Sequence, residues 1–258
     1  MATFLFDSIV FGPVWSRRLG ESLGINLLPG NRKVCNFNCV YCECGQTPIE
    51  EPSDGFPSYK EVKDRLSLRL QEMKNNNEYL DSITFAGNGE PTLHPDFPRI
   101  INDTIDIRNR IYPKANIAVL SNATLIGNKK IFNALLKADL NILKLDSAIG
   151  ETLNKINCPR GNYQLQEILH ALKQFNGKLI IQTLFFRGFY HGTRVDNSTE
   201  DEVNAWLIVL AQIQPECVMI YSIARDTAVQ ELESISVHEL QMIARRVEQL
   251  GIKTLVTP

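Results

Sequence analysis

Four of the six cysteines in this 258-residue chain, Cys35, Cys39, Cys42 and Cys44, crowd into one short segment. The first three follow C-x-x-x-C-x-x-C, a spacing that can wrap three thiolates around one metal centre. A closed zinc site or an ordinary electron-transfer cluster takes four ligands. Three leave a coordination position open, and on an iron–sulfur cubane that position is an iron able to bind a small molecule directly. A zinc site would need Cys44 or a distant residue such as His94 as its fourth ligand, and Cys42-x-Cys44 is tighter than the usual C-x2–4-C pair. The chain has no need of a structural metal either. Surface scaling gives roughly 11,500 Å² folded against about 42,000 Å² unfolded, so nearly three quarters of the chain's surface can be buried. Cys158 and Cys217 stand alone and read as packing residues. Crowded cysteines in a chain of this length point away from a secreted disulfide framework and toward a reducing, cytoplasmic setting.

A second set of polar residues follows the apolar runs. Residues 82–86 lead into Gly87-Asn88-Gly89-Glu90-Pro91, Leu120 into Ser121-Asn122, Leu143 into Lys144 and Asp146, Ile181 into Gln182, and Ile220 into Tyr221-Ser222. One such ending is an ordinary turn, but five in one chain mark a polar site, because parallel α/β folds bind ligands where the carboxyl ends of their strands converge. Lys144 has two readings: a Schiff-base or substrate-positioning amine, or an amine paired with Asp146 over a packed stem.

These residues must be positioned by the surrounding elements. Apolar runs at 23–28, 82–86, 116–120, 142–145, 178–185 and 217–221 read as strands, with a weak final strand at 253–256. Between them, helical spacing appears near 59–73, 97–111, 127–138, 163–175, 200–213 and 236–250. Capping boxes mark three of the helix starts: Ser58 with Glu61, Thr199 with Glu202, and Ser236 with Glu239. Gly251 stops the last helix. The alternation implies βαβ units and a parallel sheet of six repeats, either an open partial barrel or a doubly wound sheet. Ile83, Phe85, Val119, Leu145, Ile181 and Ile220 are candidate walls of a barrel interior, and ordinary core packing explains them equally well. No linker divides the chain, so 1–258 reads as one domain, with an N-terminal extension at 1–20 and a cysteine loop at 33–47.

The composition is 44% hydrophobic and 22% charged, which excludes a disordered chain, and no run approaches the ~18 apolar residues of a membrane span. With 27 basic and 29 acidic residues the net charge is −2, which offers no bulk attraction to nucleic acid. Arg17-Arg18, Arg32-Lys33, Lys129-Lys130 and Arg245-Arg246 each read as a solvated surface pair. The start carries no signal-peptide pattern.

The cysteine triplet, with Tyr41 just before its last member, resembles the signature of the radical S-adenosylmethionine (SAM) superfamily. Gly87-Asn88-Gly89-Glu90-Pro91 is similar to that superfamily's "GGE" motif in position and composition. The resemblance spans nearly the whole chain and implies a partial (β/α)6 TIM-like barrel. It implies that Cys35, Cys39 and Cys42 hold a 4Fe–4S cluster whose fourth iron SAM chelates. Tyr41 would lie against adenine, and Gly87, Asn88, Gly89 and Glu90 would present carbonyls and a carboxylate to the SAM ammonium. Ser121, Asn122, Asp146 and Gln182 would touch ribose, carboxylate or substrate, with Lys144 and Asp146 as catalytic candidates. A flavodoxin or ferredoxin would supply the electron, and the reaction would be hydrogen abstraction by a 5′-deoxyadenosyl radical from a tRNA base or a small metabolite. The alternatives are an activating enzyme that places a radical on a partner protein, and a non-enzymatic zinc or iron–sulfur module. Phe11-Gly12-Pro13-Val14-Trp15-Ser16-Arg17-Arg18-Leu19-Gly20 and Tyr41-Cys42-Glu43-Cys44-Gly45-Gln46-Thr47 resemble a narrower group of bacterial and archaeal proteins related to wyosine-base synthases. Those synthases carry further cysteines upstream of the triplet, whereas no cysteine precedes Cys35 here.

Overall fold

The chain opens with a hairpin. β1 (Val10–Ser16) turns at 17–19 into β2 (Gly20–Ile25), and the two pair antiparallel. The computed structural model describes residues 4–49, 55–225 and 227–257, so the first three residues of the N-terminal extension lie outside it. After the cysteine loop come α1 (Tyr59–Asn75), β3 (Ser82–Phe85), α2 (Phe97–Ile111), β4 (Asn116–Ser121), α3 (Lys129–Leu135), β5 (Leu140–Lys144), α4 (Gly150–Asn157), α5 (Leu165–Lys173) and β6 (Ile180–Leu184). The rest of the chain forms β7 (Phe186–Tyr190), β8 (Thr193–Asp196), α6 (Glu200–Ile213), β9 (Cys217–Tyr221), β10 (Leu232–Ser234), α7 (Val237–Glu248) and β11 (Lys253–Thr257).

One eight-stranded sheet runs in the order β1-β2-β3-β4-β5-β6-β9-β11, and every pairing from β2 onward is parallel. It is a curled partial barrel with helices on its convex face, the (β/α)6 TIM-like architecture. The six expected repeats are present, and the weak final strand forms as β11 beside β9. A small second sheet, β10-β7-β8, branches off after β6. The apolar run at 178–185 therefore ends in the main sheet at Leu184, and the chain enters the second sheet at Phe186.

Strand parity chooses between the two readings of the apolar strand residues. Ile83, Phe85, Val119, Leu145, Ile181 and Ile220 all belong to the large core between sheet and helices, not to the barrel interior. Side chains alternate across a strand, so their neighbours face inward. Across the sheet these are Ser22, Thr84, Ala118, Ile142, Ile180, Met219 and Leu255. Ala118, Ile142, Ile180 and Met219 form an apolar floor on which Leu19 of the hairpin turn packs. Toward β2 and β3 the interior is polar, with Ser22 Oγ and Thr84 Oγ1 2.7 Å apart.

Both outer capping boxes are complete, Ser58 with Glu61 and Ser236 with Glu239. At α6 only half a box forms. Thr199 accepts from the Glu202 N–H, but the buried Glu202 carboxylate instead accepts from Ser147 Oγ at 2.7 Å, tying the helix to the end of β5. Among the described residues no helix is long and apolar enough to cross a membrane.

Candidate cofactor and substrate site

The loop after β2 is held against two other segments by backbone hydrogen bonds. Val34 N–H donates to Asn88 O at 2.8 Å, and Glu90 N–H returns to Val34 O at 3.1 Å. On the other side Val40 N–H reaches Ile156 O at 2.9 Å and Arg160 N–H reaches Asn36 O at 2.8 Å. Gly89 is required by this stitching. Its φ is +137°, and a Cβ there would overlap the Val34 carbonyl oxygen. The close backbone approach expected of the glycine motif is thus made first to the cysteine loop itself.

This clamps Cys35, Cys39 and Cys42 around one cavity of about 260 Å³, whose lining also includes Gly87, Gly89 and Glu90, and Ser121, Asn122, Lys144 and Gln182 at the strand ends. Each thiol has its own polar neighbour. Phe37 N–H donates to Cys35 Sγ at 3.4 Å, with Asn122 Nδ2 at 3.6 Å, and Asn157 Nδ2 donates to Cys39 Sγ at 3.3 Å. Cys42 is pushed down to about 5, first by a hydrogen bond from Cys44 and, against burial, by Lys33. Burial dominates the other two thiols, driving Cys35 up to about 12 and raising Cys39. Lys33 is 2% exposed, not the surface residue its Arg32-Lys33 pairing suggested. Its ammonium donates to Gly45 O at 2.8 Å; burial opposes its charge, but Cys42, Cys35 and Cys39 together raise its pKa.

The donor set suits a multi-iron group better than one ion. Among the described residues no three His, Cys, Asp or Glu side chains converge closely enough to hold a single ion. His94, the distant candidate for zinc, has both ring nitrogens engaged, with Nε2 at 2.7 Å from Pro57 O and Nδ1 accepting from Asp96 N–H at 3.0 Å. Cys44 lines the same cavity, its thiol 3.6 Å from Gly87 O.

The other expected residues divide into two networks. Glu90 is buried, and burial raises its pKa; its carboxylate accepts from Thr92 N–H and Oγ1, Ser121 Oγ (2.8 Å) and Asn122 N–H (2.6 Å). Asn88 lies outside the cavity lining, bonding Pro29 O and the backbone of Phe6. Beneath Cys39, Asp146 is a buried hub. It accepts from Tyr41 Oη, from Asn157 Nδ2 at 2.8 Å and from Leu184 N–H at 3.1 Å, with Lys144 Nζ at 3.4 Å. Lys144 also donates to Tyr41 Oη at 2.6 Å. Burial, then Asp146, raises the Tyr41 pKa; burial opposes the Lys144 charge, but Asp146 outweighs it and raises that pKa too.

Three residues that the sequence did not single out belong here. Asn157 adjoins Cys158, and Lys33 lies two positions before Cys35, which are faint signals. Arg18 falls in the 11–20 stretch that carries the narrower resemblance, but its neighbour made it look like half of a surface pair. The structure sends it into the barrel, where it lines a second cavity of about 300 Å³ as well as the cysteine cavity.

The fold is thus a curled parallel half-barrel of the α/β class, with three thiols lining one cavity. The radical SAM superfamily model matches residues 33–196, and the chain belongs to that superfamily, whose members use SAM and a 4Fe–4S cluster. It is 36% identical over 186 residues to a UPF0026 protein of Methanocaldococcus jannaschii, covering 69% of this chain and 54% of that one. With a UPF0026 protein of Synechocystis it shares 32% over 234 residues, covering 89% and 81%. The SAM-bound structure of Streptococcus suis SuiB has the same fold at a TM-score of 0.63 and 13% identity, over 88% of this chain and 49% of that one. The chain spans between 32% and 57% of the length of three of the curated relatives it matches.

Proposed function

We propose that this protein is a radical SAM enzyme in which Cys35, Cys39 and Cys42 hold a 4Fe–4S cluster with SAM on its open side. One observation carries this reading: the three thiols share a single cavity with the Gly87–Glu90 loop and the ends of β4, β5 and β6. When bound, the cluster and SAM supply a 5′-deoxyadenosyl radical that takes a hydrogen atom from the substrate, given one electron from a flavodoxin- or ferredoxin-type donor.

The chain's own residues position and shield. Asn122, Asn157 and Lys33 offer donors to sulfur, which steadies thiolates in a buried site. Gly87 and the Ser121–Asn122 strand end are the SAM-facing surfaces. Glu90 acts by fixing these two segments to each other, because its lone pairs are taken by Thr92, Ser121 and Asn122. Tyr41, which lines both cavities, offers its ring to adenine while Asp146 and Lys144 hold its hydroxyl. Asp146 and Lys144 are therefore positioning residues in this reading. The finer resemblance to wyosine-base synthases rests partly on residues 11–20, and these form the β1–β2 hairpin at the second cavity, so we take that hairpin as the substrate-facing element. A reducing cytoplasm is the setting that such thiols require.

Anaerobic reconstitution with iron and sulfide tests this directly. The expected product is brown, and SAM changes the electron paramagnetic resonance of its reduced cluster. Cys39→Ala should lose the cluster and Cys44→Ala should keep it. Colourless protein, or a cluster that needs Cys44 and ignores SAM, would overturn the assignment.

A further inference from the structure

The second cavity opens along the hairpin edge of the half-barrel. Thr84 and Thr257 line it from within the barrel, and Trp15 and Arg17 from the hairpin. Arg18, Tyr41, Ala86, Leu120 and Tyr221 line both this chamber and the cysteine cavity, so the two spaces adjoin at these side chains.

Arg18 is the unusual member. Its root is rigid: Ser16 Oγ accepts from the N–H groups of Arg18 (3.4 Å) and Leu19 (3.2 Å), and Leu19 packs on the apolar floor. Its guanidinium extends through the barrel to Gln182 Oε1 at 3.1 Å and lies 4.6 Å from the centre of the Tyr221 ring. Neither partner is a carboxylate. Among the described residues no carboxylate pairs with Arg18, whereas Lys144 has Asp146 and the buried Lys33 has Gly45 O and the cysteine thiols. A guanidinium has five donors in a planar fork suited to carboxylate or phosphate, and one of Arg18's is spent on Gln182. Elsewhere in the chamber lining Arg225 and Glu43 are paired with each other at 2.9 Å, which leaves Glu43 unavailable to Arg18.

We infer that Arg18 is the anion anchor of the substrate site: the molecule acted on carries a carboxylate or phosphate, which Arg18 holds in the barrel chamber beside the cofactor cavity. The chamber's volume suits a small molecule, and the fixed hairpin makes Arg18 a specificity-determining residue. The inference rests on the radical-enzyme reading for the word substrate, but the anion site stands on its own geometry.

The test uses reconstituted, SAM-loaded protein. Trp15 lines the chamber, whereas Trp206 is buried in the helical layer, so a Trp206→Phe background leaves Trp15 fluorescence as the local reporter. Inorganic phosphate and acetate should change it saturably, and neutral acetamide should not. Arg18→Gln should weaken both anions about tenfold or more, as expected for loss of a charge-assisted contact, with Arg18→Lys in between and SAM affinity unchanged. The inference fails if Arg18→Gln leaves the anion response intact, or if it weakens SAM instead, which would give Arg18 to the cofactor. A response to bulk tRNA but to neither small anion also overturns it. Protein that fails to bind SAM yet shows Arg18-dependent anion binding would sink the radical-enzyme reading and keep the anchor.

Discussion

The two faces of the eight-stranded sheet differ sharply. Outward, Ile83, Phe85, Val119, Leu143, Ile181, Val218 and Ile220 are each 0% exposed against the helices, an apolar layer interrupted by the buried Asn141 beside Val119. Inward, the same strands present an apolar floor, then hydroxyls near β2 and β3, then Lys144, Gln182 and Tyr221 at the site. Burial on the outward face supplies stability, since each large apolar side chain removed from water contributes about 1.5–3 kcal/mol. The inward face gives up part of that contribution to hold charge and space for ligands. A single residue step along a strand moves a side chain from one role to the other.

Substitutions can break or sharpen this division. The largest effect is expected outward. Phe85→Ala, which opens a hole beside Phe97, should cost about 3–5 kcal/mol in chemical denaturation. On the inward face Lys144→Met should cost about 3 kcal/mol, because it leaves the buried Asp146 carboxylate without its cation; adding Asp146→Asn should recover part of the loss. If Lys144→Met proves neutral, the pair is not the electrostatic unit its burial implies. Thr84→Val removes one partner of the Ser22 hydroxyl contact and should cost only about 1 kcal/mol. A cost equal to that of Phe85→Ala would erase the contrast between the faces.

The smallest effect lies away from the sheet and is pH-dependent. Hydrogen bonds from Ser236, then Arg187, pull Glu239 from 4.5 down to about 2. A depressed carboxylate stabilises the fold above its unfolded pKa and loses that contribution as pH falls through its folded one. Glu239→Gln should therefore cost about 0.5 kcal/mol above pH 4.5, small because the pair is partly exposed, and nothing near pH 2. Urea midpoints across that range provide the measurement.

Much of the architecture was legible in local pattern. Strands at roughly thirty-residue intervals and the Ser58 and Ser236 boxes depend on neighbours a few positions away, and they formed where expected. The half-formed box at Thr199 did not, because Glu202 is drawn to Ser147, 55 positions distant. The pattern left Ile83 and its companions open between barrel wall and core packing, and the structure takes core packing. Ile83 and Phe85 are apolar enough for either side, and only the curl of the sheet and the helices covering it determine which side is the interior. Lys33 and Arg18 were misplaced for a related reason: each belongs to a basic pair that looks solvated until the fold turns one member inward.

By itself the amino-acid sequence determined the alternation of strands and helices and the three-thiol motif, since periodicity and spacing act over a few residues of chain. Only the tertiary structure decided which thiol meets which donor, that Glu90 fastens two loops together, and that Arg18 crosses the barrel to Gln182. The contacts of Glu90 with Ser121, of Asn157 with Cys39 and of Arg18 with Gln182 join residues 31, 118 and 164 positions apart. Their energies depend on burial and on distances of a few ångströms, and neither exists until the sheet has closed around them.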